Sequence, residues 1–245
     1  MGQGVRLFDL AAKECPNPLQ AGERLSPPGE LVHLWLFAPQ GAREWLAEPR
    51  VLAWLGLEEQ TRLGNIRHPD SWLEFGAGRL LLRWLLSRYR PEVTPAEWRI
   101  EISPSGKPSL AAPQRQGWEF NLSHGGGFLA IVFALHRRIG VDVEGCLSMP
   151  DQGRIARRIF HPDEVVQWEQ TPAGRARNRL FYRFWCLREA YGKALGCGLD
   201  LAPDACFFDL SRKGSIGFSI AQPGGWKFYD FSPRRECRLA LCVEA

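Results

Sequence analysis

Asp142 and Glu144 stand one residue apart in GVDVEG, residues 140–145. Side chains on a β-strand alternate between faces, so both carboxylates project from one side while Val141 and Val143 take the other. Two acids this close repel one another unless a cation or a proton lies between them. Magnesium suits such a pair, because it takes oxygen ligands, commonly one or two carboxylates, and fills its remaining positions with water and substrate phosphate. An exposed strand face carries the same pattern without a metal, so the pair alone leaves both readings open.

A second set lies in FYRFWCLREAYGKALGCGL, residues 181–199. Helical spacing puts Trp185, Glu189 and Lys193 on one stripe at i, i+4 and i+8, with Arg188 alongside. A Glu–Lys pair at that spacing also does no more than steady a surface helix by a few tenths of a kcal/mol. Two features argue for more. Only five of the 31 basic residues are lysine, which makes Lys193 an unusual choice of cation. Gly192 sits mid-helix at a cost of about 1 kcal/mol, which suggests close approach of something to that face.

The third set is FNLSHGGGF, residues 120–128, in which Ser123 and His124 precede three glycines. It reads as a loop whose backbone can come close to a ligand. Ser–His neighbours are not a nucleophile–base pair, and neither a GxSxG elbow nor a GxxxxGKS phosphate loop occurs. Taken alone, a loop histidine is more often structural or solvated than functional.

The elements that must carry these groups follow from periodicity. LVHLWLF (31–37) and WRIEI (98–102) read as strands, and SPSGKP (103–108) as a turn. Residues 70–89 have helical spacing, with Trp72, Phe75, Leu81, Trp84 and Leu85 near one stripe and arginines opposite. AAPQRQG (111–117) is a polar connector, and the strands 128–135 and 139–143 are joined by a short basic turn. Short helices over 151–160 and 162–169 precede a long one over 175–195. Four strands follow: ACFFDL, GSIGFSI, WKFYDF and RLALCV. The class is mixed α and β, with hairpin-like rather than βαβ connections in the second half.

The totals narrow the chemistry. Over 245 residues, 45% hydrophobic content and ten tryptophans supply core for one large domain or two ordinary ones. Arg79 and Arg83 interrupt the most apolar stretch, around Leu80–Leu86, so no membrane-spanning run is expected. MGQGVRLFDL lacks the pattern of a signal peptide, and Arg6 stands where a lipidation signal wants Ser or Thr. A cytoplasmic protein with no membrane partner is the expectation. Seven cysteines without a CxxC pair, and five histidines without HExxH, argue against a disulfide framework and a zinc site. Any metal would then sit on carboxylates, which favours magnesium. The net charge of +4 arises in residues 121–245, where 17 basic groups face 13 acidic ones. That surplus suits an acidic partner as well as a solvated helix face. No basic stripe with interleaved aromatics is present, so a nucleic-acid partner is not expected.

Taken together, NLSH, then GVDVE roughly twenty residues later, then WCLREAYGKALG about forty further on resemble the Sfp-type 4'-phosphopantetheinyl transferase family. SGKPSL (105–110) looks like its GKP turn, IFHPDE (159–164) like its F-x-x-x-E element, and GAGRLLLRWLLSRY (76–89) like its N-terminal helix. The resemblance runs from about Leu57 to Leu210. It implies an α+β fold: a pseudo-dimer of two similar α/β halves with the active site in the cleft between them. The halves are expected at residues 1–113 and 114–245, the second carrying the magnesium-site motifs.

The activity implied is magnesium-dependent transfer of the 4'-phosphopantetheine arm of coenzyme A to a serine hydroxyl of an apo-carrier protein, releasing 3',5'-ADP. Acyl, peptidyl and aryl carriers, serving fatty acid, polyketide or nonribosomal peptide assembly, are the substrate class. By match to the family motifs, Asp142, Glu144 and Glu189 are the metal ligands, and Glu189 and Lys193 the catalytic pair. Lys193 also contacts the phosphates. Lys107, Ser123 and His124 fall at coenzyme A positions, and Arg79 and Arg188 are the further candidates there. Glu164 matches the second acidic element, with a role that could be structural. Two positions depart from the family: Arg188 stands where a lysine is usual, and Glu74 where relatives often carry an arginine, with Arg79 just over a turn on to compensate. A monomer is expected, since the second half supplies what a partner subunit would, and its basic surplus suits carriers of acidic surface. The rival readings are a magnesium-dependent phosphoesterase, for which no second acidic cluster is seen, and a non-catalytic coenzyme A-binding relative.

Overall fold

The computed structural model describes residues 4–10, 17–19, 23–212, 214–220 and 224–245. Two compact units divide the chain, Met1–His136 and Arg137–Ala245. In the first unit the strands are β1 (Val5–Asp9), β2 (Val32–Phe37), β3 (Ile100–Ile102), β4 (Pro108–Leu110), β5 (Trp118–Gly125) and β6 (Phe128–Leu135). Its helices are α1 (Arg43–Ala47), α2 (Pro49–Leu52), α3 (Leu57–Asn65) and α4 (Pro69–Tyr89). The second unit holds β7 (Ile139–Gly145), α5 (Gln152–Ile159), α6 (Pro162–Gln170), α7 (Arg175–Leu195), β8 (Cys206–Asp209), β9 (Gly217–Ile220), β10 (Trp226–Phe231) and β11 (Cys237–Glu244).

The four-stranded sheet of the first unit runs β1-β2-β6-β5, parallel between β1 and β2 and antiparallel elsewhere. β2, VHLWLF, is buried at every position, as its apolar run requires. The unit boundary falls later than the expected 113/114, because β6 hydrogen-bonds onto β2 and β5 onto β6, so both fold with the N-terminal half. NLSH is likewise strand rather than loop: Ser123 pairs with Ala130 and His124 with Leu129. The chain reverses at Gly126 and Gly127, whose φ of 60° and 79° fit the two-residue hairpin turn that glycine allows.

α4 starts with Pro69 in its first turn beside Asp70 and ends near Arg88, an arrangement that suits the helix dipole. The expected solvent-facing arginines are not there. Arg79 and Arg83 are buried, because Arg83 donates to Glu59 Oε2 at 2.7 Å and to the carbonyls of Pro95 and Trp98 at 3.0 and 2.8 Å. Periodicity cannot tell a solvated cation from one whose partners fold back around it.

In the second unit the sheet order is β10-β11-β7, all antiparallel, with β8-β9 a separate hairpin. β6 and β7, expected as joined strands, lie in different sheets: β6 pairs with β2 and β5, β7 with β11. α7 packs on β7 and β11, and its buried face includes Phe181, Phe184, Leu187 and Ala190. Cys186 and Cys206 are buried in this core, as their apolar settings suggested, and Cys197 is half-buried. Each unit thus sets a 21-residue helix against a largely antiparallel sheet, an α+β architecture. Among the described residues no helix is long and apolar enough to cross a membrane.

Candidate active site

The alternation inferred for GVDVEG holds. Val141 and Val143 are fully buried, and Asp142, at 3% exposure, lies on the opposite face with Glu144. What brings the helix to them is Gly140. A Cβ there would stand 2.0 Å from the Ala190 carbonyl oxygen and 2.6 Å from the Ala194 nitrogen. Absence of that side chain lets the backbone of α7 seat directly on β7. Lys193, one turn past Glu189, then places Nζ 2.7 Å from Asp142 Oδ1.

Glu144 and Glu189 are half-buried, and burial, followed by the charge of Asp142, pushes each carboxyl up to about 7. Lys193 opposes both shifts. The three carboxylates therefore feel one another, and their oxygens are the donors a hard divalent cation takes. As the side chains stand, no group of three or more His, Cys, Asp or Glu among the described residues is drawn together tightly enough to hold a metal. The ammonium of Lys193 supplies the positive charge at Asp142 instead. The donor set fits magnesium in chemistry and charge.

These shifts have a consequence for stability. Between an ordinary carboxylate value near 4.5 and the folded value near 7, the folded protein holds more protons at Glu144 and Glu189 than the unfolded chain does. Stability must fall as pH rises through that window and level off above it. The Tm of metal-free protein, followed by circular dichroism, should decline from pH 5 to 7.5. Millimolar magnesium should raise Tm at pH 7.5 but not at pH 5. A Tm that climbs steadily over the same range would refute the coupling.

Gly192 and Arg188 serve the fold rather than a ligand. The close approach at Gly192 comes from the chain itself: a Cβ there would lie 2.3 Å from the Gly198 carbonyl oxygen. Arg188, expected at the coenzyme A site, is only 6% exposed. Its Nη1 donates to both Glu164 oxygens, at 3.3 and 3.1 Å, and to the Cys206 carbonyl at 3.1 Å. Its Nη2 donates to the carbonyls of Ala202 and Pro203 at 2.9 and 3.0 Å. Five acceptors saturate the guanidinium fork. Glu164, fully buried, also accepts from the backbone N–H groups of His161 and Phe208, so it ties α6, α7 and β8 together. Burial pushes Glu164 up, while Arg188 and the two N–H donors pull it back.

The remaining expected residues belong to the first unit. Lys107 lies in the turn between β3 and β4, and Ser123 is buried on β5. His124 keeps 55% of its side chain exposed and sets Nδ1 2.9 Å from Glu74 Oε2. The residue noted as a departure, Glu74, is thus the partner that orients His124, a pairing that a spacing of fifty residues hides. Arg79 is nine-tenths buried, 3.6 Å from Glu59, in the wall of a cavity of about 940 Å³. Arg62, Phe75 and Trp98 share that wall, which includes none of the three carboxylates. Gly140 is the site residue that the sequence reading passed over. Its signal was a glycine inside a strand, which marks close approach of another backbone.

Comparison with known proteins bears on the same residues. A family model described as the 4'-phosphopantetheinyl transferase superfamily matches residues 138–242. The chain is 35% identical over 152 residues to a putative 4'-phosphopantetheinyl transferase of Synechocystis sp., covering 62% of this chain and 61% of that one. It is 32% identical over 216 residues to the 4'-phosphopantetheinyl transferase HetI of Nostoc sp., covering 86% and 87%. A solved holo-(acyl-carrier-protein) synthase from Bacillus anthracis aligns with a TM-score of 0.38 and 17% identity, over 43% of this chain and 93% of the other.

Proposed function

The chain belongs to the 4'-phosphopantetheinyl transferase superfamily, and from that premise we propose that it moves the 4'-phosphopantetheine arm of coenzyme A onto a serine hydroxyl of an apo-carrier protein. The observation that carries this reading is the pairing of Lys193 with Asp142 where α7 meets β7, with Glu144 and Glu189 near enough to feel the charge of Asp142. Magnesium held by those three carboxylates would offset the pyrophosphate charge and favour departure of the leaving phosphate.

The chain's own groups have separate tasks. Lys193, a compact ammonium with a quarter of its side chain exposed, is suited to meet phosphate oxygens. Glu189, a carboxylate on the same stripe of α7 as Lys193, is the candidate to take the serine proton. The serine oxygen attacks the phosphorus that bears the pantetheine arm, the bond from that phosphorus to the bridging oxygen breaks, and 3',5'-ADP leaves with the electron pair. In the first unit, Lys107, Ser123, His124 and Arg79 are the candidates for the nucleotide end, with Glu74 orienting His124. Arg188 has no part in ligand binding on this reading. The protein would work as a cytoplasmic monomer on carriers of acidic surface.

The test uses purified protein, coenzyme A, magnesium and a panel of fatty-acid, polyketide and peptide-synthetase apo-carriers. Intact mass spectrometry should show the arm added to at least one of them. Failure with every carrier overturns the proposal, and release of 3',5'-ADP without carrier modification would indicate a phosphoesterase.

A further inference from the structure

On the same face of the second unit's sheet lies a cluster that the transfer chemistry does not use. Ala240 on β11 pairs with both Asp142 on β7 and Asp230 on β10, and Arg238 pairs with Glu144. Residues directly opposite on antiparallel strands project to one side, so Asp230 and Arg238 share the face of the carboxylates. Arg179 and Arg183, one turn apart on α7, reach the same place. Arg183 Nε stands 2.5 Å from Asp230 Oδ2, and Arg238 Nη1 stands 4.0 Å from Oδ1.

Charge balance is what sets the cluster apart. Arg175, the next arginine up the stripe, has a carboxylate of its own in Glu236. Arg183 and Arg238 share Asp230, Arg179 stands beside Arg238, and the buried Nε of Arg179 and of Arg238 has no hydrogen-bond partner among the described residues. Burial and the two neighbouring guanidiniums push Arg238 below its ordinary value, as an excess of positive charge should. Bracing β10 to α7 needs one guanidinium for one carboxylate. Three against one leave a net positive charge on side chains that are partly open, which suits an oxyanion.

Position on α7 indicates whose oxyanion. At a rise of 1.5 Å per residue, Lys193 lies about 6 Å beyond Glu189, whereas Arg183 and Arg179 lie about 9 and 15 Å before it. Transfer between two substrates across one centre needs an anchor for each. With Lys193 on the donor phosphates, the arginines face the acceptor. Arg183 and Arg238 expose 24% and 14% of their side chains, open enough for a protruding carboxylate but not for a flat surface. We propose that Arg179, Arg183 and Arg238 form an anion site that takes an acidic side chain of the acceptor protein. The proposal rests on the transferase reading for the identity of that acceptor.

Two substitutions of opposite effect test it, with folding checked by circular dichroism. Arg179→Gln should raise KM for an apo-acyl-carrier protein by about tenfold, with kcat and the KM for coenzyme A unchanged. Asp230→Asn removes the cluster's one negative charge, and it should lower the carrier KM and steepen its salt dependence. A structural brace would give no such opposition of sign. A change in the coenzyme A KM alone would assign the site to phosphate and overturn the proposal, as would a loss of Tm with both KM values unmoved. Binding of an acyl-carrier protein whose acceptor serine is alanine, read by fluorescence anisotropy, tests the site without transfer. Weaker binding by Arg179→Gln supports the site even if the transferase reading fails, and equal or undetectable binding by both proteins overturns it.

Discussion

Replacing Asp142 by asparagine is expected to reduce transfer by about a thousandfold or more while the protein stays folded. The side chain keeps its shape, so the 3%-exposed position is neither emptied nor overfilled. What disappears is a charge on which three others depend. Lys193 loses the carboxylate that holds it at 2.7 Å. Glu144 and Glu189 lose the neighbour that, after burial, does most to hold their pKa high, so both should titrate at lower pH. One of the three carboxylates proposed to hold a divalent cation becomes a neutral amide. Two readouts beyond turnover follow: the decline of Tm between pH 5 and 7.5 should shrink, and the rise in Tm with magnesium should vanish. Transfer within tenfold of the native rate, with an unaltered magnesium response, would remove Asp142 from the site.

Replacing Arg188 by methionine is expected to cost stability rather than ligand affinity. The substitution strands Glu164, fully buried, without its cation, and leaves three carbonyls short of a donor. Breaking a buried pair by removing one partner costs about 3–5 kcal/mol, which for a chain of this size is a Tm drop of roughly 6–20 °C. Adding Glu164→Gln should restore part of the loss, since the remaining partner no longer carries a charge. Arg188→Lys should fall between, because one ammonium has too few donors for five acceptors. An unchanged Tm together with a raised KM for coenzyme A would return Arg188 to the ligand-binding role expected of its position.

That position shows where sequence reading succeeds and fails. The ends of α7, of the short helices before it and of the four closing strands were legible to within a few residues. They depend on periodicity, prolines and glycines acting over neighbouring residues. The faces of β7 were legible for the same reason. The family resemblance implies a ligand contact at Arg188, because spacing shows only its place on the helix. The glutamate and carbonyls that saturate it arrive from α6 and the chain after α7. The burial of Arg79 and Arg83 on α4 is hidden from spacing for the same cause, with Glu59 as the unseen partner. The glycines after NLSH predict a loop, whereas the pairing of β5 with β6 extends to Gly125.

By itself, then, the sequence determined where helices and strands run, which side chains share a face, and which family the motifs belong to. The first two are consequences of backbone sterics and local spacing, the third of motif resemblance. The tertiary structure alone decided which opposite charge each ionisable group meets: Lys193 for Asp142, Arg188 for Glu164, Arg83 for Glu59, Glu74 for His124. Coulombic and hydrogen-bond energies depend on distance in space. In these pairs that distance is set by how the helices seat on their neighbours, which for α7 turns on one missing side chain at Gly140.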